Sequence, residues 1–204
     1  NSVTYDSTND KVVIAYTDTG NSSRGYAIVG TVSGTSISFG SEVQFESGTS
    51  VEHSATFDST NGKVVIAYLD NSNSDKGTAV VGTVSGNSIS FGTPVIFNNA
   101  TTENVTTTFD SANGKVVIAY TDNGNSWYGT AIVGTVSGTS ISFGSEVVYE
   151  SASTSENSIV YDSYIEKVVI TYRDEGNSSY GTVIIGTVSG TSISFGSAVV
   201  FESA

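Results

Sequence analysis

The chain contains no cysteine, no methionine, one proline, one tryptophan and one histidine. Without cysteine, neither a disulfide framework nor a thiolate metal site can form. Basic residues are scarce too, seven against twenty acidic, for a formal net charge of -13. A nucleic-acid partner needs a basic footprint, so none is expected. No apolar run approaches the roughly 20 residues of a membrane-spanning helix, so no membrane span is expected either. There is no initiator methionine and no signal-like start, which leads to the expectation of a chain that is processed or cut from something longer. What is present suits a folded domain: 37% apolar and 10% aromatic residues, with 22 glycines, in 204 residues. That composition argues against disorder.

The dominant feature is an internal repeat. Lys11, Lys63, Lys115 and Lys167 each open a run of Val-Val-Ile, 52 residues apart. Asp6, Asp58, Asp110 and Asp162 keep the same step, as do Tyr16, Tyr68, Tyr120 and Tyr172. Four such units divide the chain into 1–48, 49–100, 101–152 and 153–204. Four units of 52 exceed the chain by four residues, the counterpart of Ser153–Glu156, which would precede Asn1.

Within unit 1 the pattern predicts strands at Ser2–Asp6, Lys11–Asp18, Gly25–Gly34 and Thr35–Glu46, separated by Gly, Asn, Asp and Ser clusters. Val12, Ile14 and Tyr16 alternate with Val13 and Ala15, so both faces of the second strand are apolar and both are expected to be buried. A four-stranded antiparallel sheet buried on both faces and repeated about every 50 residues is the pattern of a propeller blade. The expected fold is therefore all-β, a single domain over 1–204 closed as a four-bladed propeller. Half of an eight-bladed ring and a linear array of blades are the alternatives.

Most repeated residues read as architecture. Gly30, Gly82, Gly134 and Gly186 lie inside the third strand, where glycine answers a bulge or a close neighbour. Phe39, Phe91, Phe143 and Phe195 read as packing residues between units. The Asp closing each first strand reads as a turn cap. Unit 4 departs from the turn pattern with Tyr164-Ile165-Glu166, which puts apolar surface on a loop.

The second-to-third loops vary most between units, and the geometry of a blade places them on one rim with the linkers that end at Glu52-His53, Glu103-Asn104 and Glu156-Asn157. Arg24, Asp75-Lys76, Trp127-Tyr128 and Tyr180 occupy related places on these loops. An aromatic pair beside Asp122 and amides suits carbohydrate, since a ring stacks on the apolar face of a sugar while amides and carboxylates take its hydroxyls. The alternative reading is that Trp127 only covers the rim. Asp18, Asp70, Asp122 and Asp174 open the same loops and carry oxygen ligands of the kind Ca²⁺ takes. They lack the spacing of a calcium loop, so turn capping is the better reading and no metal or other cofactor is expected. Glu52, Glu103 and Glu156 could ring a channel mouth and hold a cation weakly. His53 reads as exposed. Asn21, Asn99, Asn104 and Asn177 stand in Asn-x-Ser/Thr triplets.

Two segments carry a resemblance. Tyr120-Thr-Asp-Asn-Gly-Asn-Ser-Trp127 is similar to the Asp box of sialidase-like propellers except for its first residue, although it lies on the second-to-third loop instead of the third-to-fourth. Ser137–Val148 resembles the stretch that follows that box, without its Asp. The near-identical units also resemble tandem repeats of phage tail-fibre and bacterial surface proteins. The resemblance implies a propeller at a cell or virion surface. Sialidase chemistry does not follow, because that family uses three arginines and this chain has two, Arg24 and Arg173. The reading from sequence is a non-enzymatic extracellular binding or adhesion module for a glycan or another cell-surface ligand. The second reading is an assembly repeat of a fibre or surface layer, with self-association. A glycosidase is the third, and it would need paired carboxylates in one pocket.

Overall fold

The computed structural model describes residues 1–203. Unit 1 opens with β1 (Ser2–Asp6), β2 (Lys11–Asp18), β3 (Arg24–Ser33) and β4 (Ser36–Phe39). Then come β5 (Val43–Asp58), β6 (Lys63–Asp70), β7 (Lys76–Ser85), β8 (Ser88–Phe91) and β9 (Val95–Asp110). The same sequence continues with β10 (Lys115–Asp122), β11 (Tyr128–Ser137), β12 (Ser140–Phe143) and β13 (Val147–Asp162). The chain ends on β14 (Lys167–Asp174), β15 (Tyr180–Ser189), β16 (Ser192–Phe195) and β17 (Val199–Glu202). All pairings are antiparallel. Among the described residues no helix is long and apolar enough to cross a membrane.

The expected closed propeller is not what forms. Hydrogen bonding runs without interruption through one sheet of 17 strands. The sheet does not close: β1 pairs with β2 alone, and at the far end β17 pairs with β15 alone. Blades separated by linkers are absent because the expected linkers are themselves strand. The N-terminal half of β5 pairs with β3 and its C-terminal half with β6. β9 and β13 likewise bridge the following units. Each long strand carries a bulge where it changes partners, and Glu52, Asn104 and Glu156 adopt left-handed φ of 52°, 53° and 53° there. A bulge bends a strand and increases its twist, which lets one strand serve two layers.

Burial follows from the double-sided apolar pattern. Val13, Ala15, Ala27, Val29 and Phe45 of unit 1 share a core with Val64, Ile66, Tyr68 and Val80 of unit 2. The opposite face of unit 2, with Val65, Ala67, Ala79 and Val81, packs on Val116, Ile118, Tyr120 and Ile132 of unit 3. A third core joins units 3 and 4. Phe91, Phe143 and Phe195 pack into these three cores, in the role expected of them. The alternation that suggested a ring is satisfied by an open stack of four layers. A ring would also have covered the outer faces of units 1 and 4. Instead Val3, Val32, Ile37 and Phe39 in unit 1, and Ile185, Val199 and Phe201 in unit 4, are exposed.

The turn aspartates act as the sequence indicates. Asp6, Asp58 and Asp110 are buried, and each accepts the backbone amides two and three residues on. Each also receives the side-chain amide of Asn9, Asn61 or Asn113. Unit 4 has no such Asn, and Tyr164 there stands almost fully exposed.

Glycine is required at one recurrent place that the sequence reading passed over. A Cβ on Gly40, Gly92 or Gly144 would lie 1.8, 1.9 or 1.8 Å from the backbone carbonyl of Asn87, Thr139 or Thr191. Each of those carbonyls belongs to the third-to-fourth turn of the next unit, which seats directly on the glycine. The recurrent Phe-Gly pair was the available signal.

Candidate functional site

The variable loops share one backbone. Asp18, Asp70, Asp122 and Asp174 are the N-caps of short 3₁₀ turns. Asp18, Asp122 and Asp174 accept the amides of Gly20, Gly124 and Gly176 at 2.9–3.0 Å, and Asp70 accepts the Ser72 hydroxyl at 2.6 Å. After each turn come two left-handed residues: Ser22-Ser23, Ser74-Asp75, Ser126-Trp127 and Ser178-Ser179. Arg24, Lys76, Tyr128 and Tyr180 then open the next strand, each paired with its unit's capping Asp. The following Gly25, Gly77 and Gly129 leave room for the rings of Phe45, Phe97 and Tyr149 from the long strand, 2.4–2.5 Å from a would-be Cβ.

The sequence-derived candidates therefore fall into two groups. Trp127 and Tyr128 are adjacent in unit 3. Arg24, Lys76 and Tyr180 hold the equivalent place in units 1, 2 and 4, each separated from its neighbour by one packed layer, about 10 Å for stacked sheets. They form a row along one edge. Asp122 faces inward instead: it is buried and also receives the Asn98 side-chain amide at 3.1 Å. The row runs beside the junctions, where Ser50, Thr102 and Thr154 donate their amides to the carbonyls of Ser23, Asp75 and Trp127. Loops and junctions do lie together, as expected.

The four capping aspartates are one per unit and engaged locally. Among the described residues no group of three or more His, Asp or Glu is placed to hold a metal ion. Glu52, Glu103 and Glu156 do not form a ring, since the open sheet has no channel. Glu52 accepts the Asn104 amide, and Asn104 Oδ1 accepts the Glu156 amide, which ties successive bulges together. Burial raises the Glu52 carboxyl above its ordinary range. Glu103 points elsewhere and accepts the Asn123 side-chain amide.

His53 is buried, contrary to the exposed placement expected of it, because the segment around it is strand. Its Nε2 lies 3.1 Å from Ser50 Oγ, and its ring packs edge-on against Phe45. Desolvation lowers its pKa to about 4. The neutral ring is thus favoured in the fold, while the unfolded chain protonates near 6.5. Above that value both states are neutral. As pH falls from 6.5 to 4 the unfolded state alone takes up the proton, so stability is lost across that window. The full shift corresponds to about 3 kcal/mol. Denaturant titrations from pH 7 to 4 should show a steeper loss for the wild type than for His53→Val, which installs the residue of unit 3. Parallel curves would contradict this assignment.

Trp127 is the one large side chain in the row that is half exposed, at 50%. It holds φ of 60° at a position where the other units have Ser, Asp and Ser. No protein family and no curated protein sequence matches the chain.

Proposed function

We propose that the chain is a non-enzymatic display scaffold that binds an uncharged carbohydrate through its loop edge, with Trp127 as the stacking platform and Tyr128 beside it. The observation that supports this reading is the conformation of Trp127. A bulky residue in the left-handed region costs about 1 kcal/mol, and packing does not offset the cost for a ring that is half in solvent. Strain kept at an exposed aromatic points to a role outside the fold. Within these loops the capping Asp, the Asn-Ser pair and the closing Gly are kept in all four units, while the two places before that glycine change, as Ser23-Arg24, Asp75-Lys76, Trp127-Tyr128 and Ser179-Tyr180. A net charge of -13 disfavours acidic glycans and leaves neutral sugars as the better match. Display at a cell or virion surface belongs to the same proposal.

Trp127→Ser separates function from folding, because serine is what units 1 and 4 carry there. The variant should melt within a few degrees of wild type. Its retention on a neutral-glycan array should fall by about tenfold or more, the worth of one good ring contact. A wild type that binds no glycan, or a variant that binds as well, would overturn the reading.

A further inference from the structure

Every junction in the stack joins a forward face of one unit to a backward face of the next, and the same contacts recur three times. Among the described residues two of these faces have no covering layer: the backward face of unit 1 and the forward face of unit 4. They keep the main apolar side chains of the covered junctions. Val32 and Ile37 are 55% and 42% exposed, whereas their counterparts Val84 and Ile89 are 6% and 3% exposed. Phe201 is 62% exposed against 5% for Phe97. A cavity of about 480 Å³ opens beside Phe201, Gly181, Arg173 and Ser179. In units 1–3 the corresponding Ser23, Asp75 and Trp127 are engaged by the next unit, through their backbone carbonyls.

Gly196 sharpens the point. It is the fourth member of the set in which Gly40, Gly92 and Gly144 each receive the next unit's turn carbonyl. Among the described residues nothing seats on Gly196; a Cβ there would meet only the carbonyl of Ile185, at 3.9 Å. The turn that would complete the set is the one at Thr35, on the open face of unit 1.

We propose that these two faces are each other's partners, so that the forward face of unit 4 in one copy docks on the backward face of unit 1 in a second copy. Thr35 of the second copy then seats on Gly196, Phe39 takes the place that Phe91, Phe143 and Phe195 hold inside the chain, and the apolar layers continue across the two molecules. The contact is heterologous and leaves one free face at each end, so association is open-ended. Both copies are strongly acidic, so salt strengthens the contact by screening their repulsion. The forward face carries two polar departures: Thr171 where units 1–3 have Ala, and Arg173, which pairs with Glu175 at 3.2 Å.

Sedimentation velocity from micromolar to millimolar concentration, at low and moderate salt, tests the proposal. The wild type should show a sedimentation coefficient that rises with concentration, more so at moderate salt. Gly196→Leu should keep the wild-type melting temperature, because its side chain has room in the single chain, and should remain monomeric over the same range. Phe39→Lys, on the opposite face, should do the same, and mixing the two variants should restore pairwise association through their intact faces. A wild type that stays monomeric throughout would overturn the proposal, and Thr171 and Arg173 would then mark unit 4 as a polar end cap. Association that survives Gly196→Leu and Phe39→Lys would overturn it as well, by placing the contact elsewhere.

Discussion

Gly92→Val is expected to cost more stability than any surface change in the chain, over about 4 kcal/mol. The valine Cβ would fall 1.9 Å from the backbone oxygen of Thr139, a contact that no rotamer relieves. The third-to-fourth turn of unit 3 must then lift away and take Ile141 out of the second core. Urea denaturation followed by far-UV circular dichroism gives the readout. The expected outcome is a midpoint shifted far to low denaturant or no folded baseline. A midpoint close to wild type would mean that the turn does not seat on this glycine.

Phe97→Ala carries the second large effect. Phe97 is buried between units 2 and 3 with its ring centroid 5.2 Å from that of Tyr120 and 5.8 Å from that of Phe143. Removing a buried ring leaves a cavity and typically costs about 3–5 kcal/mol. The same change at the equivalent position of unit 4, Phe201→Ala, removes a ring that is already mostly in solvent and should cost under about 1 kcal/mol in the monomer. The comparison holds residue type and local sequence nearly constant, so the difference measures what an adjoining unit contributes. Equal losses at the two positions would contradict an open stack.

Several features could be read from the residues because their causes are local. The first two strands of each unit follow from alternating β-branched residues bounded by turn chemistry, and β1 and β2 have the predicted limits. The aspartate turns follow from the reach of a carboxylate to amides two and three residues on. Burial on both faces followed from the same alternation in units 2 and 3, where Val64 to Tyr68 and Val116 to Tyr120 are buried, while Val12, Ile14 and Tyr16 are half-buried on the open face of unit 1. Closure into a ring did not follow, because a double-sided apolar layer serves an open stack and a closed one equally. The segment from Glu46 to His53 is rich in Ser, Gly and Thr, so it reads as a linker, yet it is strand. Its hydrogen bonds come from two different units, and no local pattern records that.

The loop edge was legible in part for the same reason. Variation between units located the row, and it placed Trp127 and Tyr128 together. The inward turn of Asp122 was hidden because its partner Asn98 lies 24 positions away. The recurrent left-handed pair before each third strand also escaped notice. Four loops of the form Asp-x-x-x-Ser, none of them with the glycine that usually marks such backbone at the two places just ahead of the strand, gave only a weak signal.

The central claim is that the molecule is an open stack whose stability resides in three junctions, with two uncovered ends. Native-state hydrogen exchange on the monomer, at concentrations low enough to prevent association, tests it most directly. Amides of β6, β7, β10 and β11, which lie in layers packed on both sides, should exchange slowest. Those of β1, β2, β15 and β17 should exchange faster, with β1 and β17 fastest of all. Equal protection of β1, β17 and the central strands would contradict the account, because it would require the two end faces to cover each other.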